Sequence, residues 1–304
     1  MLSKELAMEE SISICRDYNI DIDTAMELVL ESSLYDFEED VATESLLGKS
    51  MGFGHRLLSG IMRICSFIAN AIRTMIAKLT KKDDKRNKAL GKIDNSIGSY
   101  IKRSAELIAD DVVKMCEKCS KCVNDMTKVV GTAHDRVSDP DDGEPGMDLG
   151  YKFEKTPSEI KNSMNKINDR FDYLRSYSSK MENKYREGKA SLIFIETSIS
   201  EIIDKETSDK LVQKLSDIDK ETRMLTETLK DLVTAIEKFN KDKTKEDQKQ
   251  REFVDSWAKR SNEYISTIAS TISTMNTVIL SKGLRMPKTS REEIIKNKKQ
   301  ASNN

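Results

Sequence analysis

Residues 50–79, SMGFGHRLLSGIMRICSFIANAIRTMIAKL, decide how the chain folds, because they combine a long helical period with two opposite faces. Apolar side chains recur every three or four residues, which is the spacing of one face of an α-helix. That face consists of Leu57, Ile61, Ile64, Ile68, Ile72, Met75 and Leu79. The opposite face consists of Arg56, Ser59, Arg63, Ser66, Asn70 and Arg73. The pattern predicts an amphipathic helix with a wide apolar arc and a narrow cationic strip.

Three uses of this helix are open from the sequence. A wide apolar arc is typical of a bundle core. A membrane crossing needs about 18 or more apolar residues with few charges, and Arg63 and Arg73 interrupt the run, so a helix lying in the membrane plane is physically easier. A basic run follows the helix and lengthens the cationic strip, which favours contact with nucleic acid or with a membrane surface. The candidate contact residues are Arg56, Arg63, Arg73, Lys78, Lys81, Lys82, Lys85 and Arg86.

The charge of the chain reverses sign just before this helix. Residues 1–44 carry 13 acids against 2 bases, whereas residues 45–92 carry 11 bases against 2 acids. A formal net charge of −1 therefore hides two opposed segments, and such asymmetry says more about partners than the total does. The acidic leader is predicted to be helical, and it either shields the cationic helix until it is removed or folds permanently on the bundle.

Long apolar stripes with heptad spacing run through the rest of the chain, which has only 4 prolines and 12 glycines in 304 residues. We predict an all-α fold, an elongated antiparallel helical bundle with coiled-coil-like packing behind the acidic helical leader. The predicted parts are a leader (1–44), the cationic helix with a long helix (45–130), an acidic linker (131–155), a long-helix bundle (156–283) and a disordered basic tail (284–304). Within the bundle, residues 190–203 are predicted to form the turn of a helical hairpin.

The five cysteines favour a reducing compartment with free thiols, because they are odd in number and no secretory signal precedes them. Cys116, Cys119 and Cys122, with His134 downstream, are weak candidates for a metal site. Zinc knuckles bend the backbone around the metal, whereas this stretch keeps an uninterrupted helical period that places Cys116 and Cys119 in the apolar stripe. We therefore predict buried thiols, no metal and no cofactor.

Catalytic signatures are weak throughout. GKSMGFG (residues 48–54) lacks the glycine four residues upstream and the preceding strand of a phosphate-binding loop. The acidic stretch DPDDGE (139–144) lacks the ligand alternation of a calcium loop. With only two histidines, general acid–base chemistry has few candidates. We read the chain as non-enzymatic.

Ala42, Thr43 and Glu44, followed by Ser45, resemble the sites that prohead proteases of large tailed bacteriophages cut after glutamate. The layout of acidic leader, site, basic amphipathic helix and long helical stripes is similar to the processed internal head or virion structural proteins of such phages. The resemblance covers about 50 residues. It implies location in the virion, assembly in the host cytoplasm, processing by a prohead protease, and association with capsid proteins or non-specifically with packaged DNA.

Two other functions fit the same pattern. The chain also resembles α-helical pore-forming or membrane-translocating proteins, in which one apolar helix is hidden in solution and inserted later. The third reading is a cytosolic helical scaffold that forms a homo-oligomer through its apolar stripes.

Overall fold

A computed structural model of the chain describes residues 53–80, 96–138, 157–187, 193–241 and 247–288. Within these ranges there are five long helices, one helix of four residues and two short strands. In chain order they are α1 (Phe53–Thr80), α2 (Ser96–Ser138), α3 (Pro157–Glu187), β1 (Ile193–Thr197), α4 (Ile199–Ile202), α5 (Lys205–Lys241), α6 (Asp247–Leu280) and β2 (Leu284–Lys288). The all-α fold class is confirmed, with one small sheet added to it.

The chain packs as two compact units, and each long helix contributes residues to both. Among the described residues, the first unit holds 53–74, 117–138, 157–161, 216–241 and 247–273, and the second holds 75–80, 96–116, 162–187, 193–215 and 274–288.

Antiparallel helix pairs occur within both units. In the first unit α1 and α5 run in opposite directions, because Arg73 pairs with Asp219 while Cys65, two turns earlier, meets Thr226. In the second unit α2 and α3 also run in opposite directions, because the Tyr100 ring packs on Tyr177 while Asp111, further along α2, pairs with Arg170, earlier on α3.

The predicted apolar stripes form the core. On α5 the stripe of Leu211, Leu215, Ile218, Leu225 and Leu229 is fully buried. Thr222 occupies one position of this stripe, and its hydroxyl donates to the Ile218 carbonyl at 2.8 Å. That bond satisfies the buried hydroxyl inside the helix, so a polar residue can sit in an apolar row.

Helix α6 is the most buried of the long helices along residues 261–279. Ile265, Ile268, Ala269 and Ile272 have no exposed surface and share one face of the helix, and Ser266 and Ser273 are buried beside that face. Burial over so wide an arc is typical of a helix in the interior of a bundle.

Helix α3 begins at Pro157 and ends at Glu187. Proline is favoured at the first position of a helix, and Gly188 follows the last one in the sequence. Helix α2 departs from prediction, because it continues to Ser138, so residues 131–138 of the predicted acidic linker are helical. Buried Ala133 and Val137 continue its apolar face. Their burial offsets the helical cost of Gly131, about 1 kcal/mol relative to alanine.

Residues 190–203 were predicted to form the turn of a helical hairpin. They instead contain strand β1 at 193–197 and the short helix α4, and β1 pairs with β2 as an antiparallel sheet. The register places Ile193 opposite Lys288 and Thr197 opposite Leu284. Strand β2 occupies residues 284–288, which belong to the tail that was predicted to be disordered. Gly283 precedes β2 with φ of 155°, a backbone conformation that favours glycine.

A polar cluster holds β2 against α3. Arg285 Nε lies 3.4 Å from Glu182 Oε2, and Arg186 Nη2 lies 2.6 Å from Glu182 Oε1. The Arg285 backbone N–H donates to Ser178 Oγ at 3.1 Å. Glu182 is buried, and the two arginines compensate its negative charge there.

Replacing Glu182 by glutamine is expected to lower the free energy of unfolding by about 1–3 kcal/mol, since it removes a charge-assisted acceptor from a buried site. The measurement is urea unfolding followed by circular dichroism. Glu187→Gln at the exposed end of the same helix is the matched control and should change the value by less than about 0.5 kcal/mol. Equal effects of the two substitutions would contradict the role given to Glu182.

Candidate functional site

Helix α1 carries the sequence-predicted contact strip, and the structure separates its two faces. Its apolar face includes seven large aliphatic or methionine side chains with at most 3% exposure: Leu58, Ile61, Ile64, Ile68, Ile72, Met75 and Leu79. Arg63, Asn70 and Arg73 are exposed on the other side. The predicted amphipathic arrangement is confirmed for these residues. Leu58 is a core residue that the predicted stripe left out, whereas the side chain of Leu57 lies outside the described ones.

Arg73, one of the predicted contact residues, is tied to the body of the protein. Its Nε lies 3.3 Å from Asp219 Oδ1 on α5. Asp219 also accepts two bonds from Arg223, at 3.0 Å from Nε and 2.6 Å from Nη2. Its side chain is 12% exposed, so Arg73 and Arg223 share one nearly buried negative charge. Arg73 therefore brings less free positive charge to a polyanion than its exposure suggests.

The other members of the strip divide into two groups. Arg63 is exposed and Lys78 is half-buried in the last turn of α1. Arg56 belongs to α1 but its side chain is not described, and Lys81, Lys82, Lys85 and Arg86 lie outside the described residues. The proposed processing site, Ala42 to Ser45, also lies outside them.

Part of α1 has the length and composition of a membrane span. Leu58–Thr80 covers 23 residues and contains an 18-residue window with a mean hydropathy of 1.3, of which 44% is buried. A core helix of a bundle meets the same criterion, and the burial of its apolar face accounts for the composition here.

Cys65 lies in the apolar face of α1. Burial raises the pKa of this thiol to about 12, and the opposing hydrogen bond with Thr226 only partly offsets the rise. The reactive thiolate is therefore scarce at neutral pH.

We expect iodoacetamide at pH 10 to alkylate Cys65 far more slowly in the folded protein than in urea. About 1% of a thiol with a pKa near 12 is ionised at that pH, whereas most of a thiol with the ordinary value is. The same linkage makes stability fall as the pH rises from about 9 to about 12, because only the unfolded chain ionises there. Peptide mapping by mass spectrometry gives the rate, and equal rates in the two states would refute the assignment.

The cysteines of α2 are core residues, as predicted. Cys116, Cys119 and Cys122 are all buried. The Cys116 Sγ lies 3.7 Å from the Met275 Sδ. Cys122 meets the hydroxyl of Tyr264, whose pKa is raised mainly by burial and further by this hydrogen bond.

The structure does not bring His134 to these thiols. His134 is partly exposed, with Nδ1 3.2 Å from Asp135 Oδ1. Twelve helical residues separate it from Cys122, which is about 18 Å along the axis. Across the described ranges, no group of three or more His, Cys, Asp or Glu side chains could hold a metal ion.

Comparison with family models, curated proteins and solved structures finds no match for this chain.

Proposed function

We propose that the chain is a non-enzymatic structural protein of a tailed-bacteriophage virion. It is made as a precursor, cut after Glu44 by a prohead protease, and then associates with capsid proteins or packaged DNA. The acidic leader keeps the precursor near neutral during assembly, and its loss releases a cationic body.

The position of α1 is the observation that supports this proposal best. Helix α1 begins at Phe53, so a cut after Glu44 leaves all five long helices whole. The product, residues 45–304, has 49 bases against 39 acids, whereas the full chain has 51 against 52. One proteolytic event thus changes the electrostatics without removing any described element, and a net positive charge favours non-specific association with DNA.

The cationic strip on α1 is the proposed surface for this association with DNA. Its apolar face is committed to the core, which turns Arg63 and Asn70 outward. The basic run at residues 81–86 follows this helix directly in the sequence. Contacts of this kind bind phosphates without reading bases, so the association is expected to weaken steeply with salt.

The test is a pair of phages, one carrying Glu44→Gln and the other Glu39→Gln in this protein. Both substitutions remove one negative charge from the leader, but only the first changes the residue after which the protease cuts. We expect immunoblots of purified particles to show full-length Glu44→Gln protein and shortened Glu39→Gln protein. Cleavage of both, or of neither, would count against the proposed site.

A membrane-active function is the second candidate, and the length and composition of Leu58–Thr80 favour it. In this function α1 leaves the body and enters a lipid bilayer, with Arg63 and Arg73 at the headgroups. The buried apolar face makes such a step costly, because the body would have to give up the contacts of the buried apolar residues of α1.

Dye release from anionic liposomes distinguishes these functions. A membrane-active protein empties the vesicles at micromolar concentration, whereas the proposed virion protein leaves them intact. A stable oligomer that neither undergoes cleavage nor causes leakage would instead indicate the helical scaffold.

A further inference from the structure

The second unit exposes a cluster of apolar side chains between α2 and α3. Tyr100 is 44% exposed, Leu107 58% and Tyr173 65%. Tyr177 is half-buried beside Tyr100, with ring centroids 4.8 Å apart. Single exposed apolar residues are ordinary, but a group of them along one groove is informative. We name Tyr100, Leu107, Tyr173 and Tyr177 the α2–α3 groove.

Two contacts show that these residues share one side of the helix pair. The Tyr100–Tyr177 contact lies at one end, and the ion pair between Asp111 and Arg170 lies at the other. Leu107 lies seven residues after Tyr100 and four before Asp111, and Tyr173 lies three residues after Arg170 and four before Tyr177, so helical spacing places each on the same side as these contacts. The four side chains therefore follow the groove between the two contacts.

Opposite charges flank Leu107 on the same helix. Arg103 lies four residues before it and Asp110 three residues after it, and both are exposed. Among the described residues, neither side chain takes part in a salt bridge. Asp110 lies near Lys210 of α5. The pKa of this lysine is raised chiefly by its hydrogen bond with Glu206, and the charge of Asp110 adds a smaller effect.

We propose that the α2–α3 groove binds the same groove of a second copy of this chain. A two-fold axis beside Leu107 makes the two α2 helices antiparallel. Arg103 and Asp110 are then equally far from the axis, about 5 Å along the helix. Each Arg103 meets the partner's Asp110, and the tyrosines of the two copies cover one another.

The charge pattern is the reason to choose a second copy as the occupant. A two-fold interface uses the same patch on both subunits, so the patch must complement itself. A positive and a negative residue placed symmetrically about an apolar centre meet that requirement. The groove is small, which places the dimer in the weak class, with a Kd on the order of 10 µM.

Charge exchange tests the proposal in the full-length chain. Arg103→Glu sets two acids against two acids across the axis, and Asp110→Arg sets bases against bases. Each single variant is expected to raise the dimer Kd about tenfold or more, measured by sedimentation equilibrium. The double variant R103E/D110R should restore the original Kd, and an equimolar mixture of the two single variants should form heterodimers.

Two controls separate this effect from a change of net charge or of folding. Lys230→Glu and Asp231→Arg make the same charge changes at exposed positions of α5 and should leave the Kd within about twofold of the original. Circular dichroism confirms that each variant is folded. A monomeric wild-type chain at high micromolar concentration, or a dimer that the single variants do not weaken, overturns the proposal.

Discussion

Replacing Ile68 by alanine is expected to lower the free energy of unfolding by about 3 kcal/mol, the usual cost of a large-to-small change in a packed core. Ile68 has no exposed surface and lies midway along the apolar face of α1. The loss combines the transfer free energy of the missing methyl groups with the cavity that they leave. Urea unfolding at constant m-value gives the number.

Ile76→Ala is the matched control, because Ile76 lies on the same helix and is half-buried. Its expected cost is below about 1.5 kcal/mol, since less apolar surface is lost and alanine favours the helix. If both substitutions cost less than about 1 kcal/mol, α1 is not part of the folded core in solution. The membrane-active function would then gain support.

Removing the leader is expected to strengthen DNA binding by at least about tenfold at low salt, because the product carries an excess of bases that the precursor lacks. The comparison is between chains 1–304 and 45–304 on the same random-sequence duplex, by fluorescence anisotropy at several salt concentrations. The logarithm of affinity should fall more steeply with the logarithm of salt for the shorter chain.

Arg63→Glu in the shorter chain should weaken this binding, whereas Lys230→Glu on α5 should weaken it less. Both remove one positive charge and add one negative charge, so their difference reports the α1 strip itself. Equal DNA affinity of the two chain lengths would remove the electrostatic basis of the proposed function.

Helical periodicity predicted most of this fold, because long amphipathic helices repeat their signal over many turns. The stripe on α5 is buried from Leu211 to Ile236, and the one on α3 is buried from Ile160 to Ser178, whereas Met181 and Tyr185 at its end are half-buried. The sequence also indicated that Cys116 and Cys119 are core residues, since their spacing continues the apolar stripe of α2. In each case the residues that the helical period places on one face are also the residues that the folded structure buries.

The sheet could not be predicted with equal ease, because its strands are short and far apart in sequence. LRMPK (284–288) does alternate, and its apolar members Leu284 and Met286 are buried. Pro287 and the preceding Gly283 read instead as signals that end a helix. Pairing with β1 overrides that local reading, and the buried Glu182 then fixes β2 through Arg285.

The Arg73–Asp219–Arg223 cluster could not be predicted from the sequence either. Each of these residues sits on a helix face where exposed charges are common, and nothing in their spacing joins α1 to α5. Only packing brings Asp219 to Arg73 and buries its carboxylate. The sequence thus identified the cationic strip but not the ion pair of Arg73 with Asp219.

The mass of the protein extracted from purified virions tests the central claim most directly. Whole-protein and peptide mass spectrometry is expected to find a chain that begins at Ser45, with no peptide from the acidic leader. A chain in mature particles that still begins at Met1 would contradict the cleavage, and with it the change of charge on which the proposed function rests.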